Sequence, residues 1–319
     1  MTMPKIVCVH SLSAEHVEQI KRVAPDYEVI CGKDKAIWQE HLKDAEIMAG
    51  WNAAAKEEVF QPGSKLRWVQ NWGAGVDRLP LEAFKEHGIA LTTASGVHAY
   101  SISETIFAMM LSFSRKLHLS IRHQLNRKWQ DVSPYGELHE KTIGIIGVGA
   151  IGEETARLAQ AFRMKVLGVR RSGEPSQYVD RMYDNNGLDT VLAESDFVVV
   201  TLPLTSETRH LFGKREFGLM KPNAIFINIG RGGTTDTEAL LEALRNGTIA
   251  GAGLDVFEQE PLPETSPLWS QDNVIITPHN SGSTDRYEER AMEIFLHNLK
   301  EYTAGSAPSL NRVDFSKQY

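Results

Sequence analysis

Cysteine is nearly absent: the 319 residues contain two, Cys8 and Cys31. Two thiols cannot build the disulfide framework of a small secreted scaffold, and neither belongs to a metal-spaced pair, so no metal site is expected. Each sits in or beside an apolar run and reads as a buried or edge thiol acting as a small hydrophobe. Long apolar runs are missing as well. The longest, 197–204, is broken by Thr201 and Pro203 and is far too short to span a bilayer. The apolar run in MTMPKIVCVH is too short for a signal peptide, so a cytoplasmic location and no membrane partner are expected. There is no basic excess: 34 Lys and Arg face 41 Asp and Glu, a net charge of -7. That balance argues against a nucleic-acid partner, because phosphate contacts need a basic face.

What is present is an ordinary globular composition, 42% hydrophobic and 24% charged, in a chain long enough for two domains. KIVCVH, YEVI, EIMAGW, LRWVQN and GIALTT read as strands separated by amphipathic helical stretches. After residue 140 the alternation restarts with KTIGIIG, MKVLGV, DFVVVTL, NAIFIN, TIAGAGLDV and NVIIT. Such alternation means parallel sheets covered on both faces. The expected fold class is α/β: two doubly wound, Rossmann-like domains with parallel sheets and a cleft between them. Segment 101–128 holds no Gly or Pro and reads as a long helical connection from the first sheet to the second. The amphipathic stretch 285–302 reads as a helix returning to the first domain. The expected division is therefore a discontinuous substrate domain, 1–99 plus 286–319, and a dinucleotide-binding domain, 100–285.

GIIGVGAIG places Gly147, Gly149 and Gly152 in the spacing G-x-G-x-x-G. A strand precedes it, a run of helix formers follows, and the next strand ends near Arg170, 18 residues past Gly152 (170 − 152). That is the βαβ unit a dinucleotide fingerprint requires. Gly147 permits the tight turn, Gly149 lets backbone approach a pyrophosphate, and Gly152 lets helix and strand pack closely. With Ala150 and Ile151 at the helix start, these residues form a phosphate cradle of free N–H groups and helix dipole. An Asp or Glu after the second strand would bind the ribose hydroxyls of NAD. Arg170 stands there, with Arg171 and Ser172 beside it. Guanidinium groups suit a 2′-phosphate, so NADP(H) is expected as the preferred cofactor, with NAD(H) possible.

Three later segments, NAIFINIGRGGTTDTEAL, GAGLDVFEQEPLP and NVIITPHNSGST, each place polar residues just past an expected strand, where open parallel sheets bind ligands. Arg231, Glu260 and His279 are the catalytic candidates. Glu258, two positions away, competes with Glu260.

Together NWGAGVDRLP, SISETIFAMML, GIIGVGAIG, LPLTSET, NIGRG, DVFEQEPLP and TPHNSG resemble the D-isomer-specific 2-hydroxyacid dehydrogenases. The likeness runs essentially the whole length, and the arginine pair is most similar to the glyoxylate and hydroxypyruvate reductase branch. The resemblance implies reduction of a small 2-keto acid to a D-2-hydroxy acid. His279 would be the acid, since imidazole ionises near neutrality. Glu260, immediately before Pro261, would orient its ring, and Arg231 would bind the substrate carboxylate. Backbone N–H groups around Ala74, Gly75 and Val76 would hold the same carboxylate, and Trp51 would line the substrate pocket, with Trp72 and Tyr100 as further aromatic walls. The resemblance adds Leu202, Pro203, Thr208, Ile229, Gly230, Ser281 and Gly282 to the cofactor site, and assigns Asp255 to the nicotinamide amide. It also implies a homodimer through 101–128.

The sequence departs from many relatives at Asn280-Ser281-Gly282, where they carry an apolar residue and small ones. Asn280 reads as a cap of the following helix, since Asn suits turns. Glu260 argues against formate oxidation, whose enzymes carry Gln there. The lack of Lys near Ala74 argues against phosphite oxidation. No regulatory domain follows Tyr319, which weakens a role in serine biosynthesis. The competing readings are an NAD-linked D-lactate or phosphoglycerate dehydrogenase and, in another class, a dinucleotide-sensing transcriptional corepressor. The intact Arg231, Glu260 and His279 set favours turnover.

Overall fold

The computed structural model describes residues 3–317. Met1, Thr2, Gln318 and Tyr319 lie outside the described residues, and with them the outermost ends of segments 1–99 and 286–319. The chain divides into two compact units, Met1–Val97 with Asp285–Tyr319, and His98–Thr284.

The first unit holds five parallel strands: β1 (Lys5–Cys8), β2 (Glu28–Cys31), β3 (Ala45–Ala49), β4 (Trp68–Gln70) and β5 (Ala90–Thr92). Their order is β2-β1-β3-β4-β5. Side chains alternate between faces, as the pleat demands. Val7 and Met48 enter one apolar cluster with Trp38, Phe84 and Leu91. Ile6, Cys8, Ile47 and Ala49 enter the other with Ile20, Met292 and Phe295. The last two come from the helix Tyr287–Thr303, so the C-terminal helix completes the core of the N-terminal sheet. Tyr302 donates to Glu46 Oε1 at 2.8 Å, and Tyr27 donates to the same oxygen at 3.0 Å. Burial, together with Glu46, pushes the Tyr27 phenol up to about 12.

The second unit holds seven parallel strands: β6 (Thr142–Ile146), β7 (Lys165–Val169), β8 (Arg181–Tyr183), β9 (Phe197–Val200), β10 (Ile225–Asn228), β11 (Gly251–Leu254) and β12 (Val274–Ile276). Their order is β12-β11-β10-β9-β6-β7-β8. The order in which strands are added reverses between β6 and β9, the switch point where doubly wound sheets bind nucleotides. Val198, Val200 and Phe226 pack on one face; Phe197, Val199 and Ile227 pack on the other. Strands buried on both faces explain the uninterrupted apolar runs. Both units are thus parallel α/β sheets of the Rossmann-like kind.

Three expectations need correction. Segment 101–128 is two helices, Ala99–Ser114 and Leu117–Leu125, separated by Lys116 at φ 54°. The first buries eight residues and the second none. At the break, His118 Nδ1 lies 2.9 Å from the Ser112 carbonyl oxygen and its ring packs 4.9 Å from that of Phe113, so local side-chain contacts hold a left-handed residue that no Gly announces. Strand β8 was not foreseen: it is a three-residue edge strand whose first residue is exposed. Asn280 caps no helix; the following helix is capped at Arg286.

Candidate active site

The glycine loop follows β6. Gly147 has φ 104°, which a side chain would strain. A Cβ on Gly152 would stand 2.9 Å from the Gly147 carbonyl oxygen and 3.2 Å from Ile145 Cγ2, so only glycine lets the helix Ala150–Ala161 close onto β6. Gly149, its N-cap, faces open space where a Cβ would point. The first-turn N–H groups of Ala150, Ile151 and Gly152 have no intrahelical acceptor and aim where an anion fits.

Arg170 directly follows β7. Its Nη2 donates to Glu153 Oε1 at 2.9 Å, while its buried Nε has no acceptor. Arg171 Nη2 donates to Glu207 Oε2 at 3.0 Å, and Ser172 Oγ accepts from the Glu174 N–H at 3.3 Å. The two guanidinium groups therefore carry carboxylate partners. Such exposed pairs hold weakly and leave Arg170 able to turn to a stronger anion. A dinucleotide fits these groups: an open glycine turn and unpaired helix N–H groups suit a pyrophosphate.

The rim beyond β9 and β10 is internally braced. Thr208 Oγ1 donates to the Pro203 carbonyl at 2.7 Å and accepts from the Thr205 N–H at 2.8 Å. Leu202 backbone lies against Gly230, where a Cβ would meet the Leu202 oxygen at 2.6 Å. Ile229 is buried, and the Gly230 N–H donates to Asn228 Oδ1 at 3.0 Å. Asn228 Nδ2 reaches the Arg231 carbonyl at 3.1 Å, and Arg231 Nη1 donates to the Gly230 carbonyl at 2.9 Å. One buried amide thereby shapes the turn that carries Arg231.

His279 lies just past β12 and Glu260 in the loop after β11. His279 Nδ1 is 2.8 Å from Glu260 Oε2. A carboxylate only accepts, so the Nδ1 proton belongs to this bond and Nε2 is left to face outward. Glu260 Oε1 accepts from the Phe257 N–H at 3.1 Å, which fixes the carboxylate. His279 itself has φ 50°, a conformation non-glycine residues adopt only when their surroundings impose it. The surroundings here are Asp255. Its fully buried carboxylate accepts from Thr277 Oγ1 at 2.6 Å, from the Asn280 N–H at 3.0 Å, and from the Ser281 N–H and hydroxyl. Both oxygens of Asp255 are committed to the loop that carries His279, a different set of partners from the nicotinamide contact the resemblance implies. The Gly282 carbonyl lies 2.9 Å from His98 Nδ1.

Glu258 goes elsewhere. It accepts from the Thr237 N–H at 2.9 Å, from Thr237 Oγ1, and pairs with His210 Nε2 at 2.6 Å. It thus takes the first N–H of the helix Thr237–Arg245, whose N-cap is Asp236. Burial pushes its carboxyl up, but the hydrogen bonds from Thr237 and His210 outweigh burial and hold it below its ordinary value.

In the other unit, Asn71 Nδ2 donates to the Gly73 and Gly75 carbonyls at 2.9 and 3.1 Å. With those carbonyls turned inward, the N–H groups of Ala74, Gly75 and Val76 donate to no protein acceptor among the described residues. Val76 anchors the turn in the core. Trp51 is half-buried, edge-on to Phe84 at 4.9 Å and 6.0 Å from Phe60. Trp72 is a core residue packed on His10 and Phe295, and Tyr100 is exposed on its helix. Sequence reasoning missed Asn71, Thr277 and His210. The first two sit inside motifs already singled out, as polar residues beside a turn.

A family model described as D-isomer specific 2-hydroxyacid dehydrogenase, NAD binding domain, matches residues 107–281. The chain is 36% identical over 319 residues to a glyoxylate reductase of Thermococcus onnurineus, covering 96% of this chain and 94% of that one. It is 34% identical over 309 residues to a D-3-phosphoglycerate dehydrogenase of Methanocaldococcus jannaschii; the match covers 95% of this chain but only 58% of that longer protein. Among solved structures, an NADPH-dependent glyoxylate/hydroxypyruvate reductase from Sinorhizobium meliloti, in complex with NADP and sulfate, superposes with TM-score 0.83 at 30% identity, covering 99% of this chain and 100% of that one.

Proposed function

The chain belongs to the D-isomer specific 2-hydroxyacid dehydrogenase family, and from that premise we propose that it reduces a small 2-keto acid of the glyoxylate or hydroxypyruvate kind with NADPH. The observation that carries this reading is the His279–Glu260 pair, 2.8 Å apart at the carboxyl edge of the cofactor-binding sheet. When bound, the reduced nicotinamide supplies a hydride to the carbonyl carbon. His279 acts as the imidazolium, with both nitrogens protonated: Nε2 gives its proton to the carbonyl oxygen, Nδ1–H stays on Glu260, and the ring is left as the neutral Nδ1–H tautomer. Arg231 pairs with the substrate carboxylate. The open N–H groups of Ala74, Gly75 and Val76 serve as carboxylate donors, and Trp51 lines the substrate side. Asp255 acts through the loop it pins.

For the cofactor, the glycine turn with Ala150 and Ile151 holds the pyrophosphate. Leu202, Pro203, Thr208, Ile229, Gly230, Ser281 and Gly282 line the remainder. Arg170, Arg171 and Ser172 take the 2′-phosphate, and the two guanidinium groups directly after β7 support the preference for NADP(H). The test is NADPH consumption, followed by absorbance, with glyoxylate, hydroxypyruvate and pyruvate. Turnover supports the reading; tight cofactor binding with no turnover on any of them supports a dinucleotide sensor instead. A second reading, an NAD-linked phosphoglycerate-type dehydrogenase, is favoured by the Methanocaldococcus relative, and the same assay with NAD and D-3-phosphoglycerate separates the two.

The same proposal includes a homodimer and a cytoplasmic setting. No helix among the described residues is long and apolar enough to cross a membrane, and Cys8 and Cys31 are free thiols, which suits a reducing compartment. Leu117, Ile121 and Leu125 repeat along one exposed helix face, with the fully exposed Trp129 just beyond. A second copy of the chain covering that face accounts for the apolar exposure. A monomer mass in solution at micromolar concentration would remove this part of the proposal.

A further inference from the structure

Strands β1 and β2 carry none of the groups assigned above, yet they hold both cysteines of the chain. In the parallel ladder Cys8 is the direct register partner of Cys31. Residues paired in register on neighbouring parallel strands project to the same face of the sheet, and both thiols pack against the same apolar cluster. Adjacent strands lie about 4.8 Å apart, inside the range of about 4.4–6.8 Å that a disulfide bridges between Cα atoms. Their register and shared face therefore put the two thiols within disulfide reach. The ladder continues past the pair, where the Gly32 N–H donates to the Cys8 carbonyl at 3.1 Å.

The two thiols differ in surroundings. Cys8 is fully buried on an inner strand, whereas Cys31 is partly exposed on β2, the edge strand of the sheet. We propose that Cys31 and Cys8 form a peroxide-responsive thiol pair, in which Cys31 reacts first and Cys8 resolves it to an intrachain disulfide. The Cys8 hydrogen bond and the charge of Lys21 draw the Cys31 thiol below its ordinary value against the desolvation that opposes them. The bond to Cys31 and burial push Cys8 well up. Exposure assigns attack to Cys31, the thiol that a peroxide can reach, and resolution to the buried Cys8.

The chemistry balances with a hydroperoxide as oxidant. The Cys31 thiolate attacks the peroxide O–O bond; sulfur gains one oxygen as sulfenic acid, and the other oxygen leaves with a proton as water or an alcohol. The Cys8 sulfur then attacks the sulfenic sulfur. An S–S bond forms, the S–O bond breaks, and the hydroxyl leaves as water with the Cys8 proton. Two electrons pass from the thiol pair to the peroxide. The product covalently ties the edge strand to its neighbour.

The experiment treats the full-length protein with hydrogen peroxide, alkylates it in denaturant and weighs it. The expected product has lost two hydrogens, takes up no alkylating reagent, yields a Cys8–Cys31 cross-linked peptide, and reverts with dithiothreitol. Cys8→Ser, or Cys8→Ala where serine disturbs folding, leaves Cys31 as a sulfenic acid that dimedone labels. Cys31→Ser shows no label on Cys8. Two thiols still open to alkylation after peroxide, an interchain disulfide only, or over-oxidation of Cys31 in the native sequence would each overturn the proposal.

Discussion

Two histidine–carboxylate pairs stand on the second unit, built from glutamates two positions apart. His279 meets Glu260 at 2.8 Å and His210 meets Glu258 at 2.6 Å. The histidines are equally exposed, at 46% and 48% of the side chain, and both have positive φ, 50° and 51°. By distance alone the pairs are interchangeable. They differ in what stands behind them. Glu258 also binds the N–H and hydroxyl of Thr237, so its pair closes a helix N-terminus. Glu260 is oriented by the Phe257 N–H, and the loop of His279 is pinned by the buried Asp255. Proximity of an imidazole and a carboxylate thus does not by itself identify a catalytic dyad; the proposed role of His279 rests on the buried carboxylate that braces its loop.

The comparison breaks or sharpens by substitution. Removing the buttress has the largest effect: Asp255→Ala leaves four donors around a buried void, so stability falls by about 3 kcal/mol in thermal or urea unfolding. The freed His279 loop lowers kcat/KM for glyoxylate by about 10²-fold or more, mostly in kcat. Next, Glu260→Gln lowers kcat/KM by about tenfold or more, while Glu258→Gln leaves it within about twofold; equal losses would erase the distinction. Arg170→Ala shifts the ratio of NADPH to NADH efficiency by about tenfold toward NADH, read from kcat/KM with each cofactor.

The smallest effect is pH-linked. The folded Glu258 carboxyl lies below its unfolded value, so the stability it contributes is present above the ordinary glutamate range. That stability is lost as pH falls through the folded value. Glu258→Gln therefore costs about 0.5–1 kcal/mol near neutrality, and the difference from the native protein shrinks in acid unfolding experiments. A difference that grows toward acid would reverse the assignment.

Much of this was legible in the sequence for a physical reason. Strands buried on both faces write themselves as apolar runs, and a glycine turn that must take φ 104° at Gly147 tolerates no other residue. His279 and Glu260 stand just past such strands. What was not legible depends on contacts that composition and periodicity do not record. The break at Lys116 needs no glycine because His118 and Ser112 hold it. Strand β8 pairs only with β7 and exposes Arg181, so it lacks the apolar signature. The choice between Glu258 and Glu260 rested on resemblance, since both face a histidine that sequence spacing does not reveal.

The most direct test sets the two histidines side by side: kcat/KM for NADPH-dependent glyoxylate reduction by His279→Ala and His210→Ala, each with its unfolding curve. The account predicts a loss of about 10²-fold or more for His279→Ala, with the fold intact, and activity within about twofold of native for His210→Ala. Near-native activity in His279→Ala, or an equal loss in both, would contradict it.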